Sequence, residues 1–260
     1  MRVTILGCGS SAGVPKIGCQ CEVCQSDNPK NYRTRVSLWV ETGGKSLLID
    51  SSPDLREQAL RENITQLDAV LYTHEHADHI MGIDDLRSFN WLAKKAIDIY
   101  GDQRTIEALK SRFPYIFRGD NTEYRWYAPT LNPHILEAST SQFSAAGIDI
   151  SYFNQGHGRI TSLGFRIGNM AYSTDTDYLS DETLAQLQGL DLWIVDCLRY
   201  DPSPSHANLE MTLGWIEKTK PKLAVLTHMA HDMGYEELLT RLPEGVIPAY
   251  DGWSMQLAGG

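Results

Sequence analysis

Leu71-Tyr-Thr-His-Glu-His-Ala-Asp-His79 crowds three imidazoles and a carboxylate, His74, His76, His79 and Asp78, into six positions. Burying so many polar groups is costly unless each finds a partner. A divalent cation supplies one, because imidazole and carboxylate suit Zn, Mn and Fe. The segment follows an apolar, strand-like run from Leu67 to Tyr72. In extended backbone residues i and i+2 share a face, so His74 and His76 can point to the same side. Asp78 and His79 lie where the chain can turn into a helix, facing a second ion. A fold that accepts this segment has to end a strand on a polar cluster and bring more ligands to it. The alternative, a solvated polar loop after a strand, loses ground to the histidines and aspartates spaced further along the chain.

The apolar patterning predicts strands at Arg2–Leu6, Val36–Glu41, Ser46–Ile49, Asp68–Tyr72, Ile97–Tyr100, Ile148–Phe153, Gly164–Ile167, Met170–Ser173, Leu190–Val195, Leu223–Leu226 and Ser254–Leu257. Gly43-Gly44 reads as a short hairpin turn. Helices are predicted over Pro53–Glu62, Asp84–Lys95, Gln103–Arg112, Asp181–Gln188, Asn208–Thr219 and Tyr235–Leu242, with starts at Ser52-Pro53, at Ser180 with Thr183, and at Asn208. Early strands pair locally and later ones alternate with helices. That is an α/β (α+β) pattern, two mixed sheets with helices outside, in a single domain over residues 1–260.

Three further candidate ligands fall where strands end. His157 follows Ile150-Ser-Tyr-Phe-Asn-Gln-Gly156 with a flexible glycine on each side, Asp175 follows Ala171-Tyr-Ser-Thr174, and His228 follows Ala224-Val-Leu-Thr227. Taken singly each is an ordinary loop residue; the order of cluster, strand-His, strand-Asp, strand-His is what discriminates. Seven ligands can then hold two metals: His74, His76 and His157 on one, Asp78, His79 and His228 on the other, with Asp175 bridging.

With these motifs the chain resembles the metallo-β-lactamase superfamily over nearly its whole length. The resemblance implies an αββα sandwich and assigns Asp50, in Leu47-Leu-Ile-Asp50, as an aspartate that holds the histidine loop in place. From the residues alone, a turn or helix-capping aspartate is an equal reading.

Gly18-Cys19-Gln-Cys21-Glu-Val-Cys24 is a separate signal, three of the five cysteines within six residues. With no secretory signal peptide in view, the chain is expected to be cytoplasmic, where such spacing points to metal rather than disulfides. Structural Zn prefers four closed positions, and Thr227-His-Met-Ala-His231 offers His231 as the fourth ligand. Gly7-Cys-Gly-Ser-Ser-Ala-Gly-Val-Pro15, the cysteine motif, the histidine motif and the late THxxH together resemble the PhnP type of the superfamily, a cyclic phosphodiesterase that opens a five-membered ribosyl cyclic phosphate.

That resemblance implies two catalytic divalent ions (Mn or Zn, with Fe also fitting), a structural Zn on Cys19, Cys21, Cys24 and His231, and a homodimer. It also implies a role for His206, in Ser205-His206-Ala-Asn208, in touching phosphate or protonating the leaving oxygen. Independently, His206 lies in a Pro- and Ser-rich loop, where function concentrates. His206 and Asp78 are thus the side chains expected to carry the chemistry, Asp78 as a metal ligand and His206 as proton donor, with a hydroxide shared by the two metals as nucleophile. His134 is expected to be structural or exposed, and Cys8 and Cys197 to be small core residues.

Between Phe113 and Pro133 the aromatics Phe113, Tyr115, Phe117, Tyr124, Trp126 and Tyr127 are interleaved with Arg118 and Arg125, just after Arg112. This stretch reads as an edge hairpin or dimer contact, or as a wall where a base stacks and an arginine meets phosphate. A net charge of −10 disfavours an extended phosphate-backbone footprint, so the expected substrate is a small phosphorylated molecule, ribosyl or nucleotide-like. No stretch approaches 18 apolar residues, and no membrane contact is expected. Three rival readings share the fold: a thioester or lactone metallo-hydrolase, a non-catalytic binding protein, and a tRNA 3′-processing nuclease, against which the acidic balance and the lack of a Lys/Arg-rich insert speak.

Overall fold

The structure, a computed structural model, describes residues 1–117, 129–137 and 141–258. In chain order the strands are β1 (Arg2–Gly7), β2 (Ser37–Thr42), β3 (Lys45–Ile49), β4 (Ala69–Leu71), β5 (Ile97–Gly101), β6 (Leu131–Ile135), β7 (Gln142–Ala145), β8 (Ile148–His157), β9 (Ile160–Ile167), β10 (Met170–Ser173), β11 (Leu192–Asp196), β12 (Ala224–Thr227), β13 (Val246–Pro248) and β14 (Ser254–Gln256). The helices are α1 (Leu55–Arg61), α2 (Ala77–Ile80), α3 (Arg87–Ala93), α4 (Gln103–Arg112), α5 (Pro114–Phe117), α6 (Asp181–Gln186), α7 (Leu209–Thr219) and α8 (Tyr235–Arg241). No helix among the described residues is long and apolar enough to cross a membrane.

The chain divides into two compact units, one from Met1–Leu6, Ser37–Asp149 and Ser254–Gly260, the other from Gly7–Val36 and Ile150–Trp253. The first unit carries a sheet ordered β14-β1-β2-β3-β4-β5-β6. β2 and β3 are antiparallel with Thr42 opposite Lys45, so Gly43 and Gly44 alone turn the chain. Their φ values of 57° and 71° are those of a type I′ hairpin, which only residues without a Cβ adopt cheaply. From β3 through β6 the strands are parallel. Val70, Ile97, Ile99, Ile106 and Leu109 are fully buried in one cluster with Phe113 and Ile116.

That cluster takes in the start of the aromatic stretch. Phe113 and Ile116, at the start of the aromatic stretch, belong to the core. Tyr115 donates to Asp84 at 3.0 Å, and Phe117 packs against the same cluster. The single turn of α5 covers Pro114–Phe117 and buries Ile116. Arg118, Tyr124, Arg125, Trp126 and Tyr127 lie outside the described residues.

The second sheet runs β13-β12-β11-β10-β9-β8-β7. β8, β9 and β10 alternate in direction, and β10 to β13 are parallel. β8 and β9 are longer than the apolar pattern predicts. The polar tail of β8 is held by Gln155, which is buried and donates to Ser162 Oγ and the Thr174 carbonyl. Gly164 pairs with Phe153, whose ring covers the space a Cβ would fill. The predicted helix Asp84–Lys95 is also altered: a 3-10 turn over Met81–Leu86 precedes α3, and Lys94 ends it at φ 51°. Gly82 donates to the Ser51 carbonyl and packs directly on Ser52, drawing the chain into the tighter turn. Helix α1 begins two residues later than Ser52-Pro53 implies, whereas the Ser180 and Asn208 caps accept from Thr183 N and Met211 N as expected.

Candidate metal centres

Parallel neighbours end at the same edge of a sheet, and α/β folds bind ligands beyond the carboxyl ends of such strands. In the first unit β3 ends at Asp50 and β4 leads into the Thr73–His79 loop. In the second, β8, β10, β11 and β12 run the same way and end on or just before His157, Asp175, Asp196 and His228.

In the first unit Asp50 organises the histidine segment. Its carboxylate is fully buried and accepts from Thr73 N and Thr73 Oγ1, both at 2.8 Å, and from His79 Nδ1 at 2.7 Å. Burial pushes its carboxyl above the usual carboxylate range, against the pull of His79 and Thr73. The Thr73 hydroxyl, already donating to Asp50, accepts from His74 Nδ1 at 3.0 Å. Both imidazoles are therefore held at Nδ1, which leaves the Nε2 lone pairs to serve as ligands.

The His74 ring lies 4.4 Å from that of His76 and 4.2 Å from that of His79, centroid to centroid. Helix α2 starts after His76 and brings Asp78 Oδ2 to 3.5 Å from His79 Nε2. The unit thus gathers His74, His76, Asp78 and His79, with Asp50 as anchor. Behind them Glu75 is buried, paired with Arg104, and its carbonyl accepts from Arg112, so two arginines of α4 brace the loop.

In the second unit His157 donates from Nδ1 to the Ser205 carbonyl at 2.6 Å, and its Nε2 is 3.7 Å from Asp175 Oδ2. His228 Nε2 lies 3.4 Å from Asp175 Oδ1, and His206 Nε2 lies 3.9 Å from Asp175 Oδ2. Three imidazoles thus converge on one buried carboxylate. The glycines beside His157 serve close packing rather than flexibility. A Cβ on Gly156 would meet Tyr178 at 2.8 Å, and one on Gly158 would meet Ser205 at 3.0 Å.

Asp196 is a site residue that the sequence reading missed. It accepts from His206 Nδ1 at 3.1 Å and from Thr176 N at 2.9 Å. Its signal was present: Leu192-Trp-Ile-Val-Asp196 is an apolar strand closed by an acid, the same pattern that singled out Asp175.

The second unit also assembles the cysteine motif. The Sγ atoms of Cys19, Cys21 and Cys24 and Nδ1 of His231 all lie within 4.8 Å of one another. His231 Nδ1 is 3.5 Å from Cys19 Sγ and 3.4 Å from Cys21 Sγ. Backbone N–H groups of Cys21, Cys24 and Lys16 donate to the sulfurs of Cys19, Cys21 and Cys24. The Cys21 N–H draws the Cys19 thiol below its ordinary range, while burial pushes Cys24 up to about 11. Three sulfurs and an imidazole in a closed group, each sulfur already a backbone acceptor, match a tetrahedral zinc donor set.

One buried cation braces the loop between His228 and Tyr235. Arg33 donates to the carbonyls of Ala230 and Met233, so the loop bearing both His228 and His231 is fixed from inside. His134 is half-exposed on β6, stacked on Tyr100 and 3.0 Å from Asp98, and Cys8 and Cys197 are buried, all as expected.

Residues 45–229 match the β-lactamase superfamily domain, and two mixed sheets flanked by helices are its metallo-β-lactamase fold. The chain belongs to that superfamily and, within it, to the PhnP type. It is 37% identical to a diphosphatase from the PhnP family whose crystal structure covers 98% of this chain and 97% of its own at a TM-score of 0.90. It is also 37% identical over 256 residues, 97% of its length, to an octanoyltransferase of Porphyromonas gingivalis, of which it spans 51%. Zn-bound PqqB from Methylobacterium extorquens, 18% identical over 99% of this chain and 100% of its own, shares the fold at a TM-score of 0.80.

Proposed function

We propose that this protein is a metal-dependent phosphodiesterase acting on a small cyclic phosphodiester. His74, His76 and His157 would hold one divalent ion and Asp78, His79 and His228 a second, with Asp175 shared. Cys19, Cys21, Cys24 and His231 would hold a structural Zn. The observation that carries the reading is the common orientation of the imidazoles. His74, His79, His157 and His206 are each engaged at Nδ1, on Thr73, Asp50, the Ser205 carbonyl and Asp196 in turn. A purely structural histidine cluster has no need to present every Nε2 in this way. Relatives named for phosphate-ester chemistry, among them a Streptococcus pneumoniae exodeoxyribonuclease 24% identical over 225 residues, support phosphodiester hydrolysis as the reaction class.

Two bound ions would supply charge stabilisation at phosphorus and a nucleophile at neutral pH. The chain's own contribution is orientation and proton delivery. Asp78 and Asp175 neutralise charge as ligands. His206, held by Asp196 and with its Nε2 near Asp175, is placed to give a proton to the departing alkoxide. His206→Ala is expected to lower turnover about 10²–10⁴-fold with metal content unchanged; loss of metal in that variant would assign His206 as a ligand instead.

The test is metal analysis of the purified protein together with hydrolysis of bis(p-nitrophenyl) phosphate, with and without added Mn²⁺. About three metals per chain and metal-dependent turnover are expected; one tightly held Zn and no turnover would sink the proposal. A second reading on the same fold is thioester hydrolysis, one relative, of which the chain spans 51%, being named an octanoyltransferase. Turnover of an octanoyl thioester in preference to the phosphodiester would select it.

A further inference from the structure

We infer that Asp196 is a positioning residue shared by two imidazoles, its Oδ2 fixing His206 and its Oδ1 anchoring Nδ1 of His228. The inference rests on the two-metal reading, in which His228 is a ligand. Asp196 closes β11 and is fully buried. Its backbone carbonyl accepts from Thr212 Oγ1 at 2.7 Å, which ties the residue to α7. Oδ2 is satisfied by Thr176 N and His206 Nδ1. Oδ1 is buried too, yet it accepts no hydrogen bond among the described residues, and it lies 3.8 Å from His228 Nδ1.

A buried carboxylate oxygen without a donor is costly and calls for a reason. Nδ1 of His228 supplies it. The separation is a few tenths of an ångström beyond a hydrogen bond, and an Nδ1–H aimed at Oδ1 leaves Nε2 of His228 for Asp175 and for metal. The rings of His206 and His228 stack at 4.7 Å and 10°, so one carboxylate can serve both from the same edge. Asp50 serves His79 in the same manner through Nδ1. Asp196 differs in having two clients, which couples the ligand His228 to the proton donor His206.

Asp196→Asn separates the two roles. The amide oxygen can keep the bonds from Thr176 N and His206 Nδ1. The NH₂ then faces His228 Nδ1, donor against donor, and drives His228 to the tautomer with its proton on Nε2. Two readouts track the change: metal content, and the ring-nitrogen NMR signals of the metal-free protein in mildly alkaline buffer, where imidazoles are neutral.

Expected in the parent protein is an Nδ1–H tautomer for both His206 and His228. In Asp196→Asn, His228 alone should switch, with metal affinity weakened about 10–100-fold and the structural zinc retained. An Nε2–H tautomer of His228 in the parent protein would overturn the inference without any variant having to fold. So would an Asp196→Asn protein with unchanged His228 signals and full metal content. If the parent holds only its structural zinc, the two-metal reading fails, while the ring signals still decide whether Asp196 orients both imidazoles.

Discussion

Asp50, Asp175 and His228 adopt φ values of 62°, 51° and 58°, a left-handed conformation uncommon for side chains other than glycine. Such residues cost of order 1–3 kcal/mol each and persist where surroundings over-determine them. Each lies one or two residues past the end of a strand, β3, β10 and β12 in turn. The Asp50 carboxylate shows what the strain secures: three donors from two residues, with His79 held in one tautomer. Asn tolerates the same backbone, so Asp50→Asn should fold. Its NH₂ must face either the Thr73 backbone N–H or both His79 Nδ1–H and the Thr73 hydroxyl, so metal affinity should drop about 10–100-fold with little change in unfolding temperature. Metal titration of the variant against the parent checks this, and unchanged affinity would make Asp50 a turn residue only.

Strand endings were the legible part of the chain. A run of apolar residues closed by His or Asp singled out His157, Asp175 and His228, because a buried parallel strand has to be apolar and its tip is where polarity can return; Asp50 came from the family resemblance. Asp196 obeys the same grammar and went unread, since an aspartate next to Cys197 and Leu198 carries no spacing motif of its own. What the pattern could not reveal were contacts made by the absence of a side chain. A Cβ on Gly82 would lie 2.0 Å from the Ser52 carbonyl oxygen, which is backbone and cannot move aside.

Gly82→Ala should therefore destabilise by about 1–3 kcal/mol. Gly214, inside α7, has nothing within 4 Å of where its Cβ would stand. Gly214→Ala should stabilise by roughly 0.5–1 kcal/mol through helix propensity. Denaturant midpoints of the two variants should move in opposite directions, and parallel shifts would contradict this account of both elements.

Both compact units are assembled from segments distant in sequence, and the second joins residues 7–36 to residues 150–253. The Cys₃His group is one of the bonds across that gap. If the Cys₃His group holds the proposed zinc, Cys21→Ser or a strong chelator should lower the unfolding midpoint by about 10 °C or more, measured by calorimetry; an unmoved midpoint would show the cysteines to be structurally idle. The same separation bears on how the protein is made. The three cysteines emerge from the ribosome roughly 200 residues ahead of His231. At about 5–20 residues per second this leaves them some 10–40 s without their fourth ligand. For that interval the newborn chain offers three thiols to any passing oxidant or misplaced metal, so its maturation is expected to be sensitive to the redox state of the compartment in which it is translated.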